Sequence, residues 1–181
     1  MVTIPRKTSR RNAHRAGLLG TTAASLALAL VATASPAGAL PEWRTTDSRQ
    51  GSAKLVRVLD LRHAEHPRFD RVVIDLRGAR PGFRVGYVDR LEYDGSGRPV
   101  RLAGRTKMSL VLNPAHAHDR DGQVTYAGPR RIRVGYPTLK AIALTGDYEG
   151  HVSFGFGTSR RAPYRVFVLS NPKRLVLDWR H

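Results

Sequence analysis

Cysteine is missing from all 181 residues of the chain. Its absence excludes a disulfide framework, a thiolate metal site, a cysteine nucleophile, an iron–sulfur cluster and a lipid held through sulfur. Acidic residues are scarce, 14 Asp and Glu against 31 Lys and Arg, for a formal net charge of +17. The motifs that usually carry chemistry are missing too. There is no Gly-x-Ser-x-Gly elbow, no His-Glu-x-x-His pair for zinc and no phosphate-cradling glycine loop opening a helix. Without a nucleophile or an oriented base, an enzyme is not expected. What is present, 41% hydrophobic and 25% charged residues, is the composition of a folded chain and not of a disordered one. The length suits one domain, two at most.

The N-terminus reads as an export signal. Arg6, Lys7, Arg10, Arg11 and Arg15 precede an apolar stretch over residues 16–34, and two small-residue cleavage patterns follow, Ala32-Thr33-Ala34 and Ala37-Gly38-Ala39. This charged, apolar, small order predicts a signal peptide over 1–39, cut after Ala39. The rival reading is an uncleaved anchor. It is weakened by Gly17, Gly20, Thr21, Thr22 and Ser25, because a spanning helix wants about 20 predominantly apolar residues. Arg10-Arg11 leaves the route open between the general and the twin-arginine exporters. No second long apolar run exists, so no transmembrane segment is expected after cleavage. Removing 1–39 takes away five basic residues and no acid, which leaves a net charge of +12. An Arg-rich genome composition would produce much of that charge without any ligand.

Residues 40–53 are polar and aperiodic and read as a linker. From Lys54 onward, short alternating runs are separated by turn residues: Leu55–Leu61, Phe69–Leu76, Phe83–Tyr93, Pro99–Leu102, Lys107–Leu112, Lys140–Thr145, His151–Phe156, Tyr164–Leu169 and Arg174–Trp179. This pattern predicts an all-β fold over 54–181, a single β-sandwich of short antiparallel strands. Only Thr138–Leu144 has any helical character. Asp94-Gly95-Ser96-Gly97 reads as a tight turn. Two echoes raise the prospect of pseudo-symmetric halves: Arg71-Val-Val-Ile-Asp75 against Arg174-Leu-Val-Leu-Asp178, and Arg84-Val-Gly-Tyr87 against Arg133-Val-Gly-Tyr136. Alternation places Val72, Ile74 and Leu76 on one face, as it does Leu175, Leu177 and Trp179. The Arg and Asp residues of these strands are expected first as cross-strand ion pairs.

Candidate ligand groups are basic. Arg130, Arg131, Arg133 with Tyr136, and Arg160, Arg161, Arg165 with Tyr164, pair guanidinium forks with rings that can stack on sugars. Such sets suit carboxylates and phosphates. In His151-Val-Ser-Phe-Gly-Phe-Gly157, one strand face carries only Ser153, Gly155 and Gly157. A flat face of this kind admits a glycan, an extended peptide or another backbone. His116 and His118, with Asp119 or Asp121, have chelating spacing, but zinc usually takes four ligands and two exposed imidazoles are the simpler reading. No metal and no cofactor is expected. The carboxylate pairs Glu92/Asp94 and Asp147/Glu149 read as ordinary strand-end acids.

Several stretches in order carry a resemblance: Phe69-Asp-Arg-Val-Val-Ile-Asp75, Asp94-Gly-Ser-Gly-Arg-Pro-Val100, Gly128-Pro-Arg-Arg131, Gly146-Asp-Tyr-Glu-Gly150 and Pro172-Lys-Arg-Leu-Val-Leu-Asp178. From His66 to the C-terminus the chain resembles the AMIN-like domain of secreted actinobacterial proteins and lipoproteins. The resemblance implies a β-sandwich related to the two-half, non-catalytic, peptidoglycan-binding AMIN domain, and a place in the cell envelope. It implies no catalytic set. Lipoprotein members carry a cysteine after the signal and this chain does not, so free secretion or wall retention is expected. The partner expected is peptidoglycan or an associated anionic wall polymer, contacted through the eight Arg and Tyr residues above. The alternative is another secreted protein docked on a sheet edge. Specific nucleic-acid binding is not expected, since charge alone would bind it without selectivity.

Overall fold

The computed structural model describes residues 39–181. The expected signal over 1–39 lies, but for Ala39, outside the described residues. Eleven strands follow in order: β1 (Ser48–Gln50), β2 (Val56–His66), β3 (Phe69–Gly78), β4 (Phe83–Val88), β5 (Thr106–Leu112), β6 (Ala115–His116), β7 (Arg131–Arg133), β8 (Leu139–Tyr148), β9 (His151–Thr158), β10 (Tyr164–Leu169) and β11 (Arg174–Arg180). They form two sheets, β1-β4-β5-β9-β8-β7 and β10-β11-β3-β2-β6. Every pairing is antiparallel except that of β6 on β2. The expected all-β sandwich is the observed fold. Among the described residues no helix is long and apolar enough to cross a membrane.

The core lies between the sheets and follows the alternation. Val72, Ile74 and Leu76 of β3 and Leu175, Leu177 and Trp179 of β11 face Met108, Leu110, Leu112, Val152, Phe154 and Phe156 of the other sheet. In β2 the inward set runs Val56, Val58, then Leu61, because the pairing with β3 shifts between Val58 and Asp60. One extra residue at such a bulge reverses the facing of everything after it.

The two Arg-x-Val-x-Asp strands do meet. β3 and β11 are antiparallel neighbours, with Arg71 opposite Asp178 and Asp75 opposite Arg174. Only the first of these pairs is made. Asp75 instead takes a two-point bond from Arg62 of β2, at 2.7 and 2.8 Å, and Arg174 turns to the carbonyls of Asn171 and Pro172. The second echo is not a structural equivalence. Gly86 sits inside β4 against the Asp47 carboxylate, whereas Gly135 lies beyond β7 with φ +70°.

Three expectations are corrected by the structure. Residues 40–53, read as a linker, are built into the sandwich: β1 pairs with β4, and Arg44 exchanges backbone bonds with Tyr164 at 2.7 and 2.8 Å. Thr138–Leu144, the stretch with helical character, lies almost wholly in β8. Pro99–Leu102 is no strand. With Leu91 it crosses the outer face of the six-stranded sheet, where Leu91, Val100 and Leu102 cover Ala141 and Ala143 in a second apolar cluster. The same crossing covers the small-residue face of β9. A Cβ on Gly157 would stand 1.8 Å from the Ala103 carbonyl, and one on Gly155 would stand 2.7 Å from Leu91. The two glycines therefore admit the chain's own backbone and side chains, and leave no flat seat for a glycan.

Asp70 ties the sheets together. It is fully buried on β3; its Oδ2 accepts from the Thr138 and Leu139 amides at the start of β8, at 2.8 and 2.7 Å, and its Oδ1 lies 2.9 Å from His181 Nε2.

Candidate functional site

At the end of the six-stranded sheet where β5 begins and β9 ends, the chain opens a cleft of about 650 Å³. It is lined by Arg105, Arg133, Lys140 and Arg160, together with Ala103, Gly104, Gly135 and Ser159. Four segments bring the cations together. Arg133 ends β7, and Lys140 lies near the start of β8; the turn between them closes with the Val134 amide on the Lys140 carbonyl at 3.0 Å. Gly135 makes that turn with φ +70°, a conformation that suits glycine. Arg160 follows β9, and the Ser159 amide donates to the Thr138 carbonyl at 2.8 Å. Arg105 precedes β5. Gly104 beside it has φ +113° and packs so close to Thr158 that a Cβ would meet backbone atoms at 2.7 Å. Thr106 and Thr158 share a hydroxyl contact at 2.6 Å across the floor.

Among the described residues none of Arg105, Arg133, Lys140 or Arg160 makes an ion pair. The Lys140 ammonium donates to the Tyr136 carbonyl and is held over the cleft. A smaller cleft of about 200 Å³ adjoins it through Arg105 and adds Lys107, Arg161 and Tyr87. Arg161 lies over the Tyr87 ring, 5.2 Å from its centre. The Tyr87 hydroxyl donates to the Ala162 carbonyl at 2.7 Å, and burial pushes its pKa above the usual phenol value. The whole end of the sheet is thus a basic surface without counter-charges from its own side chains, apart from Asp89 at its rim. Guanidinium forks and an ammonium placed together in this way can donate to an anion.

The eight residues nominated from sequence divide. Arg133 and Arg160 meet in the cleft and Arg161 lines its neighbour. Arg130 and Arg131 are exposed near the edge strand β7, where Arg131 donates to the Arg101 carbonyl. Tyr136 points away, to His63 Nδ1 at 2.8 Å, and burial raises its pKa. Tyr164 has no exposed surface; its hydroxyl lies 2.7 Å from the Thr46 carbonyl and 3.0 Å from that of Val85, so its ring is part of the core. Burial pushes its pKa up to about 12. Arg165 belongs to the opposite sheet. There it bonds Asp178 at 2.8 Å and lies 4.5 Å from the centre of the Trp43 ring.

Arg105, Lys107, Lys140 and Tyr87 were not nominated. Lysine rarity is the one sequence signal that could have found two of them. After residue 39 only Lys54, Lys107, Lys140 and Lys173 break the Arg bias, and two of these four line the basic end. Of the acids read as ordinary strand-end groups, Glu92 pairs with Arg90 at 2.9 Å, whereas Asp147 lies 2.6 Å from His118.

No curated protein and no solved structure gives a significant match to the chain. The AMIN-like domain family does match, over residues 56–181, from the first residue of β2 to the last of the chain. With most of its length matched, the chain belongs to the AMIN-like domain family, a family of cell-envelope binding modules.

Proposed function

We propose that this protein is a secreted, non-catalytic module that holds anionic cell-wall polymer in the basic cleft. The ligand class is peptidoglycan with its stem-peptide carboxylates, or a phosphate polymer associated with it. The observation that carries the reading is the convergence of Arg105, Arg133, Lys140 and Arg160 on one cleft with no ion-pair partner among the described residues. On the other sheet, by contrast, Arg62 is neutralised by Asp75 and Arg71 by Asp178. Four cations placed together are mutually repulsive, and a polyanion relieves that repulsion. Membership of the AMIN-like family supports a place in the cell envelope.

The test is co-sedimentation of the purified protein with protein-free sacculi, with and without attached phosphate polymer, across a salt series. The comparison is with the Arg133→Glu/Arg160→Glu variant and with an unrelated protein of equal charge. Near 1 M salt the Debye length falls to about 3 Å and exposed charge is screened. Wall binding above the control at high salt, lost in the double variant, supports a shaped anion site. Binding that falls with salt in step with the control, and is indifferent to the variant, overturns it.

A second reading, docking of another secreted protein, is favoured by one feature. β10 is an edge strand, and beside it a groove of about 500 Å³ is lined by Phe83, Val166, Phe167, Val168 and Leu169. Binding to envelope extract that disappears when the extract is protease-treated, with none to clean sacculi, would favour this reading.

A further inference from the structure

Away from the basic cleft, His116, His118 and Asp147 come together at the other end of the strand that carries Lys140. Ala115 and Ala117 point into the core, so His116 and His118, which alternate with them, project the other way from the chain. Ala115 is fixed by its amide on the Gly150 carbonyl at 2.8 Å, and His118 by its bridge to Val124. Asp147 lies on β8 opposite Val152 of β9. The imidazole centres are 4.6 Å apart, and one donor atom from each of the three residues lies within 4.8 Å of the others.

Hydrogen bonding leaves this group incomplete. His118 Nδ1 and Asp147 Oδ2 are 2.6 Å apart. His116 Nδ1 and the other carboxylate oxygen, Asp147 Oδ1, are shut away from solvent with no partner. Those are two of the three such orphaned side-chain atoms among the described residues, and both fall in one cluster. A buried polar atom without a partner is unfavourable, because its hydration is lost and not replaced. An ordinary His–Asp pair with a spectator ring beside it does not relieve either atom. A single cation relieves both.

We propose that His116, His118 and Asp147 form a binding site for a divalent transition-metal ion of the zinc class. Two imidazole nitrogens and one carboxylate oxygen are a three-ligand set of the kind zinc accepts, with a fourth position left for water or an incoming ligand atom. Imidazole donors select zinc, copper, nickel or cobalt, whereas magnesium and calcium want more oxygens than this group holds. Asp119 does not complete the set, since its Oδ1 already accepts from the Asp121 and Gln123 amides at 3.0 and 2.9 Å. Two ligands on a tetrahedral ion with bonds of about 2.0–2.1 Å stand about 3.3 Å apart. His118 Nδ1 and Asp147 Oδ2, at 2.6 Å, are closer than that and do not both ligate where they stand, so Asp147 would offer its orphaned Oδ1 or this hydrogen bond would open. The site is independent of the anion-binding cleft and uses none of its residues.

The test uses the full, tag-free chain stripped with a chelator. Titration with Zn²⁺ and Co²⁺, followed by calorimetry, thermal unfolding and the visible absorption of bound cobalt, should show one site, a raised unfolding midpoint and tetrahedral cobalt bands. Mg²⁺ should give none of these. His116→Ala and Asp147→Asn should each weaken Zn²⁺ affinity by about tenfold or more, at least as much as outer-sphere changes do. On the unaltered chain, paramagnetic Co²⁺ should broaden the ring signals of His116 and His118 before those of His63, His66, His151 and His181. That measurement stands whether or not the variants fold. Absence of cobalt bands with no shift in midpoint, or equal affinity in the variants with broadening elsewhere first, would overturn the proposal.

Discussion

Arg71 and Asp178 face each other across β3 and β11 and join at two points, Nε to Oδ1 at 2.7 Å and Nη2 to Oδ2 at 2.9 Å. Asp178 is fully buried and also takes Arg165 Nε on Oδ2 at 2.8 Å. One buried carboxylate therefore anchors three neighbouring strands. The hydrogen bond that Arg71 donates to Asp178 is the main reason that the Arg71 pKa is raised, against the opposing effect of desolvation. The two guanidiniums rest against rings: Arg71 lies 4.9 Å from the centre of Phe69, and Arg165 lies 4.5 Å from that of Trp43.

The hub is asymmetric, and so should be the effect of cutting it. Asp178→Ala removes the common acceptor and strands two partly buried cations, at a loss of on the order of 3 kcal/mol. Arg71→Met leaves Asp178 still bonded to Arg165 and keeps the packed stem, so it should lose only about 1–2 kcal/mol. Urea unfolding of both variants measures the gap. Equal losses would show that Asp178 is not the hub.

Asp70 should be as sensitive for a different reason. It accepts the amides of Thr138, just before β8, and of Leu139, the first residue of β8, and it does so from the opposite sheet. Asp70→Ala leaves both amides buried and unsatisfied, and should lower stability by about 2–4 kcal/mol. Hydrogen exchange gives the sharper reading: the Thr138 and Leu139 amides should lose protection ahead of the core of β9. Unchanged protection at those two amides would rule out the clamp.

How much of this was legible follows from what alternation can carry. The facing of β3 and β11, and the sandwich they imply, were open to reading because one side of each strand meets the core and the other carries charge. β8 was legible only in part, with Lys140–Thr145 read as a strand but the overlapping Thr138–Leu144 given helical character, because Ala141 and Ala143 are buried under the Leu91–Leu102 crossing while Ile142 and Leu144 face the core. A strand buried on both faces has no polar side to alternate with, and its run of Ala, Ile and Leu looks helical. β1 has three residues, Ser-Arg-Gln, and offers no period at all. The basic cleft joins Arg105, Arg133, Lys140 and Arg160, separated in sequence and brought together only by sheet order. Likewise the spacing of His116 and His118 was visible, but their third partner is Asp147, from another strand, and not the neighbouring Asp119 or Asp121.

The crossing over β9 can be probed at one atom. Gly157→Ala places a methyl 1.8 Å from the Ala103 carbonyl, so the crossing must lift or β9 must bend. Overpacking of this sort loses typically 1–3 kcal/mol. The displaced segment includes Ala103 and Gly104, which line the basic cleft, so wall binding should fall together with stability. A Gly157→Ala protein with unchanged stability would mean that the crossing does not lie where it is described. Loss of stability with full wall binding would count against the cleft as the binding site.

Alkaline pH should weaken the fold through its buried phenols. The Tyr164 pKa is raised from 10.0 to about 12, chiefly by burial, with the Asp47 charge adding to it. Tyr126 and Tyr87 are shifted the same way, again by burial first. A raised folded-state pKa means that the unfolded chain gives up its proton earlier. The stabilising contribution is therefore complete below pH 10 and is lost as pH climbs from about 10 to about 12. Urea midpoints taken through that window should fall steadily. Tyr164→Phe should start lower at neutral pH, since the Thr46 and Val85 carbonyls lose their donor, and should then fall less steeply through the alkaline range. If the variant and the unaltered protein lose stability in parallel above pH 10, ionisation of Tyr164 is not coupled to unfolding, and the alkaline loss belongs to other groups, Tyr126, Tyr87 and Tyr136 among them.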